Sequence, residues 1–355
     1  MTTGSIGLAR RAPRWGTVLA PALLGTMIVG VWLRWVLAGS MALPIRFGHL
    51  RHAHSHLGYF GLLFPLAWMG WRAAGAPAPG RRALMAYALC TALACIGFVR
   101  SGYGPIAIVG STAVAAFWLW STRPLLGRLQ DLQDPLGTVP FGLVASLACV
   151  PPIALYLRSD PELAHGFVST FLSGLLLVVI IPSTLAARRV SAGPWPLFLV
   201  GGSLGSLYLG VAPFPLTRVG LLAYAGLMAA PVLSPRMELH VRGTWALVGL
   251  GLGAMAVGLL PNLRPVALGA IHFLILGPVL GSLAPLWLHW SPPGWLWCLG
   301  HASWGTMSVA LVLQAFVASP WTWTIAALGG TATLVWWALV LVFSSARHRR
   351  VLQTS

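Results

Sequence analysis

The sequence predicts an all-α polytopic membrane protein of about twelve transmembrane helices. Three observations predict it. Hydrophobic residues make up 57% of the 355 positions and charged residues only 8%, whereas a soluble domain carries roughly 25% charged residues. Mean hydropathy is +0.82. Apolar stretches of about 20 residues, the length that crosses a hydrocarbon core, recur from one end to the other with short connections between them.

In order, the apolar runs fall near 15–38, 47–70, 83–99, 103–121, 138–157, 163–186, 195–212, 216–233, 243–260, 266–289, 294–318 and 321–344. The first follows a basic segment (Arg10, Arg11, Arg14) and is too long for the apolar region of a signal peptide, so it reads as a retained helix. Turn chemistry separates the rest, as in Gly75-Ala76-Pro77-Ala78-Pro79-Gly80 and Ser291-Pro292-Pro293-Gly294. Pro151-Pro152 interrupts the fifth. The division is a cytoplasmic tail over 1–14, one membrane domain over 15–344 and a basic cytoplasmic tail over 345–355.

Every basic side chain apart from histidine is arginine, 22 in all against five acids. Without lysine there is no retinal Schiff base. The arginines stand singly or in small groups between apolar runs, which argues against nucleic acid as a partner and for the lipid bilayer. An N-terminus inside puts fifteen of them in the cytoplasm and six outside (Arg34, Arg46, Arg100, Arg158, Arg218, Arg264), with Arg51 inside a span. That asymmetry predicts a bacterial-type inner (plasma) membrane protein with both termini cytoplasmic. The 18 tryptophans read as interfacial and packing residues, and Cys90, Cys95, Cys149 and Cys298 as small buried hydrophobes.

The chemistry rests on histidine, because polar side chains at membrane depth are expensive to keep. The second span opens His49-Leu50-Arg51-His52-Ala53-His54-Ser55-His56. On a helix His49, His52 and His56 share one face, and His54 points to nearly the opposite side from His56. His165 lies early in the sixth span, His272 early in the tenth, and His301 in the eleventh. Spans two, six and ten run in the same direction, so His54, His56, His165 and His272 fall at similar depth. Imidazoles gathered at one level from three helices suit iron or copper. His301 belongs to the other half of the bilayer, nearer His289, and His240 and His289 read as interfacial residues. Glu162, three residues before His165, reads as a helix N-terminal acid or a second-layer partner of that histidine.

Spans two, six and ten recur every four helices, which suggests three four-helix pseudo-repeats. His56 and His272 are each followed five residues later by glycine (Gly61, Gly277). This plan, His52-Ala53-His54, and His301-Ala302 with Gly305-Thr306-Met307 resemble the haem–copper oxidase subunit I superfamily, in particular its small divergent NnrS-like members. His272-Phe273 resembles the second half of an oxidase His-x-His motif. The resemblance implies haem b held between a span-two histidine, His54 or His56, and His272. It implies a further metal, copper or a second iron, for which His165, His52, His49 and His301 are the candidate ligands. It also implies handling of a diatomic ligand such as nitric oxide or oxygen, or of electrons from a separate donor protein.

The departures from that pattern are specific. Ala270 stands where the first histidine of the pair belongs, and no His-His pair follows span six. Asp131, Asp134, Asp160, Glu162 and Glu238 all lie at loops or span ends, so a proton-pumping terminal oxidase is not expected. The competing reading is a metal-ion or small-solute transporter lined by the same histidines.

Overall fold

The computed structural model describes residues 15–157, 159–190, 214–261, 263–288 and 290–354. The expected seventh span, the 1–14 tail, Arg158 and His289 lie outside them. The described residues are 83% helical and contain no strand. Among the described residues, eight helices are long and apolar enough to cross a membrane, the architecture of a polytopic membrane protein.

The helices in chain order are α1 (Gly16–Leu37), α2 over 47–73, α3 (Arg81–Ser101) and α4 (Pro105–Gln130). Then come α5 (Pro135–Tyr156) and α6 (Pro161–Ala187), α7 (Phe214–Leu227, continued by Ala229–Leu233) and α8 (Leu239–Ala256). The last three are α9 (Arg264–Leu288), α10 (Gly294–Leu313) and α11 (Pro320–Thr354). The turns are built from the expected residues, with Gly39, Gly75, Gly102 and Gly258 at positive φ just beyond helix ends. Pro151-Pro152 begins a fresh helical segment, Val150–Tyr156, after a break at Cys149.

Large apolar side chains such as Leu89, Val109, Leu155, Leu250 and Val342 stand exposed on the outer faces. They are the surface that acyl chains would meet. Cys298 is among the exposed residues and only Cys149 is buried, so the cysteines are not uniformly core residues. Seven tryptophans serve in packing: Trp68, Trp71, Trp118, Trp245, Trp297, Trp304 and Trp337 are all fully buried. Their N–H groups explain several helix pairings. Trp68 donates to Ser121 Oγ, Trp71 to Ser183 Oγ and Trp245 to Ser282 Oγ. A buried indole needs such a partner.

Helices α2, α6 and α9 each contain a π-helical stretch, at Leu57–Leu63, Gly174–Ile180 and Ile275–Val279. Just beyond two of these stretches comes a proline, Pro65 or Pro182. A π-helix bonds each N–H to the carbonyl five residues back, and proline has no N–H. The carbonyls of Phe60 and Leu177 are therefore left without their intrahelical donor. Tyr87 Oη donates to the first at 2.7 Å, and Tyr224 Oη donates to the second. Thr138 Oγ1 adds a bond to the neighbouring Val178 carbonyl at 2.9 Å. The same irregularity is answered in the same way on two helices.

The second halves of these three helices carry the densest core, including Leu63, Phe64, Trp68, Val179, Ile181, Leu185, Val279 and Leu283, all fully buried. Gly70 of α2 lies so close to α6 that an added Cβ would fall 2.7 Å from the Ser183 carbonyl oxygen, an approach that only glycine permits. The first halves, where the histidines lie, are less tightly buried.

Candidate functional site

The histidine run divides between two faces, as helix geometry predicts. His49 lies against Gly102. The ring of His52 meets Tyr103 at a centroid distance of 4.7 Å, and that of His56 stacks on Phe98 at 4.0 Å. These three face α3 and the turn after it. His56 is walled in further by Phe60 and Tyr103. Tyr103 lies in that turn, and burial there pushes its phenol up from its ordinary pKa, with the Arg51 charge opposing.

His54 points the other way, between α1 and α9. Its ring lies 6.2 Å from that of His272, centroid to centroid, with the two planes only 11° apart. Both rings are half-buried. His54 Nδ1 is 2.9 Å from the Thr26 carbonyl oxygen, and His272 Nδ1 is 2.7 Å from that of Leu268. A carbonyl only accepts, so each Nδ1 carries the proton and each Nε2 keeps a free lone pair. A backbone carbonyl on the far nitrogen is the usual support of a metal-ligating histidine.

The separation bears on what the pair can hold. At 6.2 Å the rings are beyond stacking contact. Metal–imidazole bonds are about 2.0–2.1 Å long, which sets the ring centroids of two trans ligands about 6 Å apart. The observed centroid separation of 6.2 Å is close to that spacing.

Two residues of α1 complete the surroundings. A Cβ at Gly30 would fall 2.6 Å from His54 Cε1, so glycine makes the room this ring occupies. Arg34, one turn later, is buried, and its Nε has no hydrogen-bond partner. It takes part in neither ion pair found among the described residues, Arg128–Asp134 and Arg188–Glu238. The other acids are accounted for elsewhere. Asp131 accepts from the Gln133 backbone and Asp160 from that of Leu163, and Glu162 is exposed in the first turn of α6. A buried guanidinium without a carboxylate is costly, and this one stands beside the two imidazoles.

The remaining candidates lie apart. His165 is exposed on α6, and no group of three His, Cys, Asp or Glu side chains among the described residues is placed to hold a metal. His301 is far along the fold from His272, at the opposite end of the bundle. There its ring meets that of His240 at 5.5 Å, a partner the sequence reading had placed at the interface. Two clefts of about 480 and 580 Å³ lie among arginine-bearing loops, around Arg189 and Arg236 and around Arg72 and Arg128, and neither is lined by a described histidine. The chain matches no protein-family model, no curated protein and no solved structure.

Proposed function

We propose that the protein is a haem-binding integral membrane protein in which His54 and His272 would hold one haem b. The observation that carries this is the near-parallel imidazole pair at 6.2 Å, each ring with Nδ1 tied to a backbone carbonyl. Arg34 supports it. Haem brings two carboxylates, and a buried arginine with an unpartnered Nε beside the ligands is the cation such groups require. Within the reading, Thr26 and Leu268 hold the imidazoles in the neutral Nδ1–H form, Gly30 makes space for the first, and Arg34 offsets negative charge.

A haem so ligated supplies one-electron chemistry, with a potential set by its ligands and surroundings. Held by both His54 and His272, such a group would pass electrons rather than bind nitric oxide or oxygen. Copper or a second iron beside this haem is not part of the proposal, since His165 is exposed and His56 is enclosed by aromatic rings. The recurrence of π-helical stretches in α2, α6 and α9 supports twelve helices in three pseudo-repeats. With the N-terminus cytoplasmic, the haem would lie in the outer half of the bilayer. A separate protein would donate the electrons.

The test is a reduced-minus-oxidised absorption spectrum of the detergent-purified protein, with a pyridine haemochrome assay on the same sample. The reading expects a six-coordinate b-type spectrum that His54→Ala and His272→Ala each abolish and His56→Ala retains. Folded protein without haem from haem-replete cells would refute it and favour the transporter. Loss in His56→Ala with retention in His54→Ala would reassign the ligand.

A further inference from the structure

At the opposite end of the bundle, the first turn of α8 and the first half of α10 bring together a second imidazole pair. His240 and His301 have ring centroids 5.5 Å apart and planes at 47°. His240 Nε2 and both ring nitrogens of His301 are buried without a hydrogen-bond partner. Three unpaired imidazole nitrogens in one place are expensive, since each has given up its water without gaining a partner. Their walls are aromatic: Trp297 stacks on His240 at 5.0 Å and Trp304 meets His301 edge-on at 4.8 Å. The indole N–H groups of Trp297 and Trp304 are also unpartnered.

We infer that His240 and His301 form a metal site of their own, taking one late first-row transition-metal ion of the copper or zinc kind. The geometry suits it. With metal–nitrogen bonds of about 2.0–2.1 Å, two imidazoles on one ion have ring centroids about 5 Å apart in tetrahedral arrangement and about 6 Å apart in trans. The observed 5.5 Å falls between, the spacing of a bent bis-imidazole site. The ligand chemistry narrows the metal. Neutral imidazole suits copper and zinc, whereas calcium and magnesium require oxygen. The nearest acid in sequence, Glu238, is engaged by Arg188 at 2.7 Å. Two protein ligands leave coordination positions open on the ion. The site shares no residue with the His54–His272 pair, so it stands whether or not haem binds there.

The experiment titrates Cu(II) into the full chain, purified without a polyhistidine tag in a His272→Ala background and stripped with chelator. Tryptophan fluorescence and electron paramagnetic resonance are read together. One equivalent per chain should quench the emission, with hyperfine coupling to two imidazole nitrogens. His240→Gln and His301→Gln should each weaken binding about tenfold or more, and His165→Gln, at an exposed histidine, should not. Should a variant fail to fold, the nitrogen count in the parent chain still decides. Absence of a stoichiometric site would mean that only water bridges the pair, and loss in His165→Gln would mean surface binding. Either result overturns the inference.

Discussion

Gly30→Ala is the sharpest probe of the proposed haem ligation, because it moves one ligand without touching either. The added methyl would sit 2.6 Å from His54 Cε1, 3.2 Å from its Nδ1 and 3.0 Å from Arg34 Nη1. Carbon–carbon contact is comfortable at about 3.5–4.0 Å, so the ring must retreat by about 1 Å. What the methyl meets is the far end of a side chain, so the ring gives way while the backbone stays. The retreat strains the 2.9 Å Nδ1–Thr26 bond, worth about 1 kcal/mol net. It also shifts Nε2 well beyond the roughly 0.2 Å latitude of a metal–ligand bond. The expected outcome is a folded protein with a small fall in melting temperature and a large loss of the low-spin b-type signal. Gly251→Ala is the control, since a Cβ there meets nothing within 4 Å. A Gly30→Ala protein with full haem occupancy and an unchanged spectrum would refute the placement of His54 as a ligand.

Three further outcomes follow from the same structure. Tyr87→Phe leaves the Phe60 carbonyl and the Trp118 N–H without the bonds they now make at 2.7 and 2.8 Å. Thermal unfolding in detergent should show a loss of about 1–3 kcal/mol for each unpaired group, and an unchanged midpoint would mean that water replaces the hydroxyl. Arg34→Gln removes a positive charge that favours the less positive, reduced state of a neighbouring haem, so a redox titration should give a lower midpoint potential. A rise or no change would separate Arg34 from the site. Ser183→Ala deprives the buried Trp71 N–H of its 2.8 Å acceptor between α2 and α6. It should destabilise the protein, again by about 1–3 kcal/mol, while the haem spectrum stays as it was.

The helical membrane fold was legible because it is a matter of solvent. Charged residues at 8% and repeated apolar runs leave a lipid environment as the only one these helices suit. The split of the histidine run into two faces was equally legible, since it follows from 3.6 residues per turn. Which face meets α9 was not, and the choice between His54 and His56 stayed open. That depends on packing between segments more than two hundred residues apart, which periodicity does not report. His165 shows the same limit. The sequence predicts for it the depth of His272, but its direction around α6 turns it outward. His240 was missed because it sits at a helix start, where a histidine usually faces headgroups and water. Only the approach of α10 supplies the second imidazole.

The three π-helical stretches connect the backbone to the site. Inserting a residue into a helix turn rotates everything before it relative to everything after it by about 100°. In α2 and α9 the stretch begins directly after the histidine segment, at Leu57 and at Ile275. The second halves are held by tight apolar packing, with Trp71, Leu280 and Leu283 fully buried. The rotation therefore falls on the first halves, and it decides which way His54 and His272 point. Regular helices with the same packed second halves would aim both imidazoles elsewhere. On this argument the cost of the irregular turns, met in α2 by Tyr87 through the Phe60 carbonyl, is retained because it brings the two rings to within 6.2 Å of each other. Tyr87, though it touches neither histidine, belongs to the device that positions His54. The pairing predicts that Tyr87→Phe alters the His54-dependent spectrum as well as stability, whereas Ser183→Ala, beyond the π stretch, alters stability alone.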